Sequence, residues 1–148
     1  MKRFRFRLDP VIRYREYRER IAQIGLAREA QALIESKNRI SEMEHTMRHT
    51  AGELDSEQKQ GIEADRHRVF TAYLQGLRDE IESESERLVE IGKRIREKQE
   101  AVKAETIKKK TLEWIKQTRY SKYLEWINRA EQKAADELTG LKKHEVQK

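Results

Sequence analysis

The chain has 148 residues, of which 36% are hydrophobic and 41% are charged, with one Pro and six Gly. This composition excludes a large globular core and leaves long helices or disorder, which only the spacing of the apolar residues can separate. The absence of cysteine excludes a disulfide framework, a thiol nucleophile and a cysteine-rich zinc site. No apolar run is long enough to span a bilayer, so we expect a soluble cytoplasmic protein.

The net charge of +6 is distributed unevenly. Residues 1–20 carry eight basic and three acidic side chains, residues 21–107 carry fourteen and eighteen, and residues 108–148 carry eleven and six. Both terminal segments are therefore basic and the middle is acidic. A fold that brings the termini together would have one basic end.

The first nine residues predict an extended basic arm. Basic and apolar side chains alternate strictly: Arg3, Arg5 and Arg7 are basic, and Phe4, Phe6 and Leu8 are apolar. A period of two residues is typical of an extended segment. Because Asp9 is a favoured N-cap and Pro10 suits the first helical position, we expect helix 1 over residues 10–53. The arm is followed by no apolar stretch of signal-peptide length, so no signal peptide is expected.

Two heptad series predict two long helices that pair as a coiled coil. The series are Leu26, Leu33, Ile40, Met47 and Leu54, and then Leu74, Ile81, Leu88, Ile95 and Val102, the second interleaved with Phe70, Leu77 and Ile91. The second helix is expected over residues 66–143. The reversal is expected over residues 54–65, because Gly52 and Gly61 bracket a segment that holds the capping candidates Asp55 and Ser56.

These elements predict an all-α fold, a long two-helix antiparallel coiled-coil hairpin with a longer C-terminal arm, as a single domain over residues 1–148. The numbers of facing residues are expected to sum to roughly 117, a register that pairs Glu19 with Lys98. Roughly the last 35 residues then have no intrachain partner. That overhang carries both tryptophans, Trp114 and Trp126, which indicates either an interface or a third segment that folds back.

Sites of chemistry are not indicated. The sequence contains no Gly-rich phosphate loop, no paired metal-ligand motif and no Ser/His/Asp arrangement at a meaningful spacing. His45 and His49 are spaced for one helix face and His67 follows the reversal, but a solvated face explains them better than a metal. We therefore expect no catalytic residues, no cofactor and no metal.

The opening Phe4-x-Phe6-x-Leu8-x-x-Val11-Ile12-x-x-Arg15, the two heptad arms, the reversal with Gly61-Ile62 and the length together resemble the FliJ family of flagellar export proteins. The resemblance implies a helical hairpin similar to the coiled coil of the gamma subunit of rotary ATP synthases, placed in the centre of the hexameric export ATPase. It implies a cytoplasmic protein at the inner-membrane face of the flagellar base that links this ATPase to the export gate and assists export chaperones.

The resemblance also implies two partner-binding regions. The ATPase ring would contact the basic open end through Phe4, Phe6, Trp114 and Trp126. The cytoplasmic platform of the export gate would contact the reversal end through Met43, Tyr73 and Leu77.

Two other functions fit the same fold. One is a coiled-coil adaptor or oligomerisation protein of an unrelated complex. The other is a nucleic-acid-binding helical protein, in which the arm contacts phosphates or stacks bases on Phe4 and Phe6. The arm could also lie on an anionic membrane or be a disordered tail.

Overall fold

The computed structural model describes the backbone of residues 3–146 and the side chains of residues 3–140, so the first two residues of the predicted arm lie outside it. It contains two helices, α1 over Asp9–Gln60 and α2 over Ala64–Val146, and no strand within the described range. The chain is an all-α helical hairpin whose second helix is longer, which confirms the predicted fold class.

Helix α1 begins at Asp9, one residue before the expected start. The Asp9 N–H donates to the carbonyl of Phe6 at 3.3 Å, which closes a turn between the arm and the helix. Pro10 lies in the first turn, where its missing N–H leaves no intrahelical acceptor unsatisfied. Farther along, the N–H of Ile12 donates to the carbonyl of Leu8 at 3.0 Å.

The reversal is shorter than the sequence predicted. Helix α1 continues through most of the expected reversal of residues 54–65, so that only residues 61–63 connect the helices. The added turns contain no helix breaker, and Lys59 pairs with Asp55 one turn earlier at 2.8 Å. Gly61 ends the helix with φ 89°, a left-handed conformation that favours glycine.

The two predicted heptad series lie on packed faces. All members of the series from Leu26 to Leu54 and from Leu74 to Val102 are partly buried. Of the interleaved residues, Leu77 is buried and Ile91 is completely buried. The periodicity therefore identified the apolar seam of each helix correctly.

The internal contacts divide the chain into two units, one of residues 20–103 and one that contains both terminal segments, residues 1–19 and 104–148. In the first unit, segments of α1 and α2 run antiparallel on either side of the turn. In the second unit, the arm and the first turns of α1 pack against the C-terminal half of α2.

The observed register in residues 20–103 differs from the predicted one. Glu29 pairs with Arg94 at 3.0 Å and Glu57 pairs with Arg66 at 2.6 Å, so the numbers of these facing residues sum to 123. The difference from the prediction is close to one heptad, and such a shift brings equivalent seam positions together again. The heptads therefore fit both registers, and the short turn selects the observed one.

The predicted pair of Glu19 and Lys98 is wrong for the same reason. Lys98 lies instead beside Gly25, where a Cβ built on the glycine would be 3.7 Å from the Lys98 Cδ. In the unit of the terminal segments, Glu19 binds Lys109 at 2.6 Å.

Helix α2 has partners along much of the predicted overhang. In the unit of the terminal segments, Leu112, Tyr123 and Ile127 are partly buried. Every side chain of residues 128–140 is exposed, and the side chain of Leu141 lies outside the described residues. The stretch without a partner is therefore shorter than expected, because the register differs and the arm itself packs on α2.

Candidate partner-binding surfaces

The arm packs through its apolar face. Phe6 is only 4% exposed and Phe4 is partly buried. The guanidinium of Arg119 lies 5.6 Å from the centroid of the Phe6 ring, a cation–π contact that closes over the buried side chain. The exposed members of the alternation are Arg3, Arg5 and Arg7. The arm thus has one face toward α2 and one charged face toward solvent.

Four aromatic rings form a continuous ladder along α2, which we call the aromatic ladder: Phe4, Tyr120, Tyr123 and Trp126. The Phe4 ring lies 5.2 Å from that of Tyr120, edge to face, and 5.4 Å from that of Tyr123. Tyr123 also stacks on Tyr120 and on Trp126, each at 6.4 Å. Such pairs contribute about 0.5–1.5 kcal/mol each beyond burial, so the ladder fixes both the arm and its own side chains.

The ladder keeps a large surface free. Trp126 is 58% exposed and Tyr120 is 40% exposed, whereas Phe6 is buried. Trp114 is 69% exposed but makes no ring contact with another described residue, so the structure does not bring it into the ladder. Of the four side chains predicted for the basic end, Phe4 and Trp126 therefore share a surface, Trp114 lies elsewhere on α2, and Phe6 supports the arm from within.

A polar layer holds the first turns of α1 against α2. The Glu19 carboxylate accepts hydrogen bonds of 2.6 Å from the Lys109 ammonium and from the Thr106 hydroxyl. These two bonds, the one from Lys109 first, hold the pKa of Glu19 below its usual value. The same bond to Glu19 raises the pKa of Lys109. Both groups are therefore charged at neutral pH.

A second carboxylate in this layer is surrounded by cations. Glu105 is buried, with Arg15 at 3.7 Å, Arg18 at 3.8 Å and Lys108 at 3.5 Å. Its Oε2 accepts no hydrogen bond from a described group, and this oxygen forms the ion pair with Arg15. Together with the bond from Lys116 to Asp9 at 2.8 Å, this layer fixes how the arm enters α1.

A shallow apolar groove of about 370 Å³ lies next to the turn, in the unit of residues 20–103. Helix α2 contributes Arg66, which binds Glu57 at 2.6 Å and whose guanidinium lies 5.9 Å from the centroid of the Phe70 ring. The exposed side chains of Val69 and Tyr73 also come from α2. We call this feature the turn groove; its remaining lining residues are Thr50 and Glu53.

The residues predicted for the reversal end differ in their accessibility. Tyr73 lines the turn groove and is 51% exposed. Met43 is partly buried, and Leu77 is buried in the seam. Only Tyr73 of the three is therefore open to direct contact over most of its side chain.

The comparisons with known proteins identify the family. Residues 4–147 match the family model described as "Flagellar FliJ protein". The chain belongs to the FliJ family. The match covers nearly the whole chain and confirms the resemblance predicted from the arm and the heptads. No curated protein and no solved structure matches the chain.

As a member of the FliJ family, the chain is a component of the flagellar export apparatus. Over the described residues, neither helix of this FliJ protein contains an apolar stretch long enough to cross a membrane. Among the same residues no metal-binding group of acidic and histidine side chains comes together. His49, one of the histidines considered from the sequence, lies 3.7 Å from Glu53 on the same helix.

Two members of the aromatic ladder, Tyr120 and Tyr123, were not predicted as site residues from the sequence. Their spacing to Trp126 was the available signal, because residues three apart on a helix are neighbours. That Phe4 joins them depends on the register, which the heptads left open.

Proposed function

We propose that this FliJ-family protein is a non-enzymatic coiled-coil stalk that links the flagellar export ATPase ring to the export gate and assists export chaperones. Membership of the family supports the place in the export apparatus. The observation that carries the proposal is the exposed aromatic ladder, a binding surface already held in shape by its own ring contacts. Under this proposal the protein works at the cytoplasmic face of the inner membrane at the flagellar base.

The ATPase ring contacts the aromatic ladder in this proposal. Trp and Tyr side chains dominate binding energy at interfaces because they bury a large area with few rotatable bonds. Trp126 has more than half of its surface available for such burial. The neighbouring exposed cations Arg119, Lys122 and Arg129 would steer the ladder toward an acidic surface of the ring. Trp114 supplies a second contact on α2.

The export gate contacts the turn groove in this proposal. Tyr73 and Val69 offer exposed apolar surface in a groove next to the turn, which fits an apolar side chain of the partner. Met43 and Leu77 act from within the seam, where they support the groove rather than touch the gate.

A pair of variants tests the two contacts against each other. Trp126→Ala is expected to weaken binding to the purified export ATPase by about tenfold or more, as is typical of an interfacial Trp, and to leave binding to the cytoplasmic domain of the gate unchanged. Tyr73→Ala is expected to do the reverse. Biolayer interferometry with each immobilised partner measures both.

The control variant is Val89→Ala, because Val89 is exposed to the same degree as Trp126 but lies outside both surfaces. Circular dichroism checks that every variant keeps its helicity. The proposal fails if Trp126→Ala and Val89→Ala bind the ATPase equally well, or if the loss of helicity matches the loss of binding.

A further inference from the structure

The exposed face of the arm and the start of α1 together form a cleft of about 720 Å³. Three arginines line it: Arg5, Arg7 and Arg13. Phe6 and Pro10 complete its apolar part. The cleft is a product of the strict alternation in the arm, because burial of Phe6 turns the arginines on either side of it outward.

The positive charge of this cleft is not matched by the residues that the structure describes. Asp9 is the one acidic residue that lines it, and the Asp9 carboxylate already accepts a hydrogen bond from Lys116 at 2.8 Å. None of the three arginines makes an ion pair or a side-chain hydrogen bond with another described residue. Three exposed arginines without a charged partner among the described residues therefore line one open space.

An arrangement of this kind has a defined chemical preference. A guanidinium presents paired donors that match the two oxygens of a carboxylate. Arg5 and Arg7 flank the buried Phe6, so both side chains lie on the outer face of the arm. Acidic side chains one turn apart on a helix lie about 5–6 Å from each other, so a segment with carboxylates on one face can meet both arginines.

We propose that the cleft of Arg5, Arg7 and Arg13 binds a cluster of carboxylates on an acidic segment of a partner protein. The inference goes beyond the ATPase and gate contacts proposed above, because it concerns the arginine face of the arm and not the aromatic ladder. Val11, Tyr14 and Tyr17 continue as exposed side chains along α1 beyond the cleft, so the surface next to it accepts apolar residues of the same segment.

Charge complementarity favours an acidic protein segment over a nucleic acid. Proteins that bind duplex DNA commonly neutralise about six to ten phosphates along an extended track. Here Arg5, Arg7 and Arg13 converge on one cleft, whereas the next two arginines on α1, Arg15 and Arg18, lie 3.7 and 3.8 Å from the buried Glu105 carboxylate. A compact anionic cluster matches this short footprint, whereas a continuous phosphate backbone needs a longer track of unpaired cations.

Fluorescence anisotropy with fluorescein-labelled decaglutamate tests the proposal on the full chain. Replacing Arg5, Arg7 and Arg13 together by Gln is expected to weaken peptide binding by about tenfold or more. The matched control replaces three exposed arginines without ion pairs in residues 20–103, Arg48, Arg78 and Arg96, by Gln. It removes the same net charge and is expected to change binding by about twofold or less.

Equal losses in the two triple variants would overturn the proposal, because net charge alone would then explain binding. A duplex DNA of twenty base pairs, or vesicles of phosphatidylcholine with phosphatidylglycerol, would overturn it by binding more tightly than the peptide in a way that depends on the same three arginines. If the triple variant loses helicity by circular dichroism, Arg7→Gln alone carries the test, with a severalfold loss expected and no loss contradicting the proposal.

Discussion

Replacement of Ile91 by Ala tests whether the seam of residues 20–103 is a packed core. Ile91 is completely buried, and Ile→Ala removes three carbon groups, each contributing about 0.8 kcal/mol when buried. Together they amount to about 2.4 kcal/mol, and the unfilled space raises the expected loss to ~3 kcal/mol of unfolding free energy. Urea unfolding followed by circular dichroism measures this loss for the variant and the wild type.

The matched control is Val89→Ala, two residues earlier on the same helix. Val89 is 59% exposed, so truncation removes little packing and the better helix propensity of Ala offsets the loss. We expect a change within about 0.5 kcal/mol. The reasoning is refuted if Ile91→Ala loses less than about 1 kcal/mol, or if both variants lose the same amount, because the buried seam would then contribute no more than an exposed position.

Three further predictions concern the register, the hydrogen bonds to Glu84 and the turn. Because the end of the Lys98 side chain reaches Gly25, a short bismaleimide is expected to cross-link Gly25→Cys with Lys98→Cys within one chain faster than Gly25→Cys with Gly92→Cys, the pair of the other register. Equal rates on a denaturing gel contradict the observed register. Hydrogen bonds from Ser36 and, second, from Arg39 lower the pKa of Glu84. The stability that Glu84 contributes is therefore present above its unfolded-state pKa and is lost as pH falls through the lower folded-state pKa. Glu84→Gln is expected to flatten the acid side of the plot of melting temperature against pH, and an unchanged plot contradicts this. Gly61→Ala is expected to destabilise the protein by about 1 kcal/mol, because φ of Gly61 is left-handed. Gly92→Ala within α2 is expected to stabilise the protein by up to about 1 kcal/mol. A higher melting temperature for Gly61→Ala than for Gly92→Ala contradicts the turn geometry.

The seams of both helices were predictable because a heptad repeat reports burial directly. Leu26 and Leu88 belong to series of five apolar residues each, and such a series in a helix indicates a face that is buried against another helix. The start of α1 was also predictable, since Asp9 and Pro10 restrict the backbone locally. These signals need no knowledge of the partner segment.

The register and the turn were less predictable for a physical reason. The prediction ended helix 1 at residue 53, directly after Gly52, but a single glycine inside a helix lowers stability by only about 1 kcal/mol and does not end the helix. The helix continues to Gly61, whose left-handed conformation does end it. The error moved the register by about one heptad, and no apolar pattern opposes a shift of that size.

The candidate surfaces were only partly predictable because they depend on this register. The resemblance proposed Phe4, Trp126 and Tyr73 as contact residues, and all three are at least partly accessible. No pattern in the sequence indicated that Phe6 would be buried. The aromatic ladder needs Phe4 beside Tyr120, which a sequence periodicity cannot place. The alternation in the arm does predict that Arg5 and Arg7 lie on the face opposite Phe6. It does not predict that Arg13 of α1 lies next to them.

In the proposed function, this FliJ-family protein acts on the export ATPase through the aromatic ladder. The most direct measurement is ATP hydrolysis and oligomeric state of the purified cognate flagellar export ATPase, with and without the protein at equal amounts. The account predicts faster hydrolysis together with ring assembly, and a reduced effect with Trp126→Ala. An active, folded ATPase whose turnover and oligomeric state do not respond to the wild-type protein would contradict it.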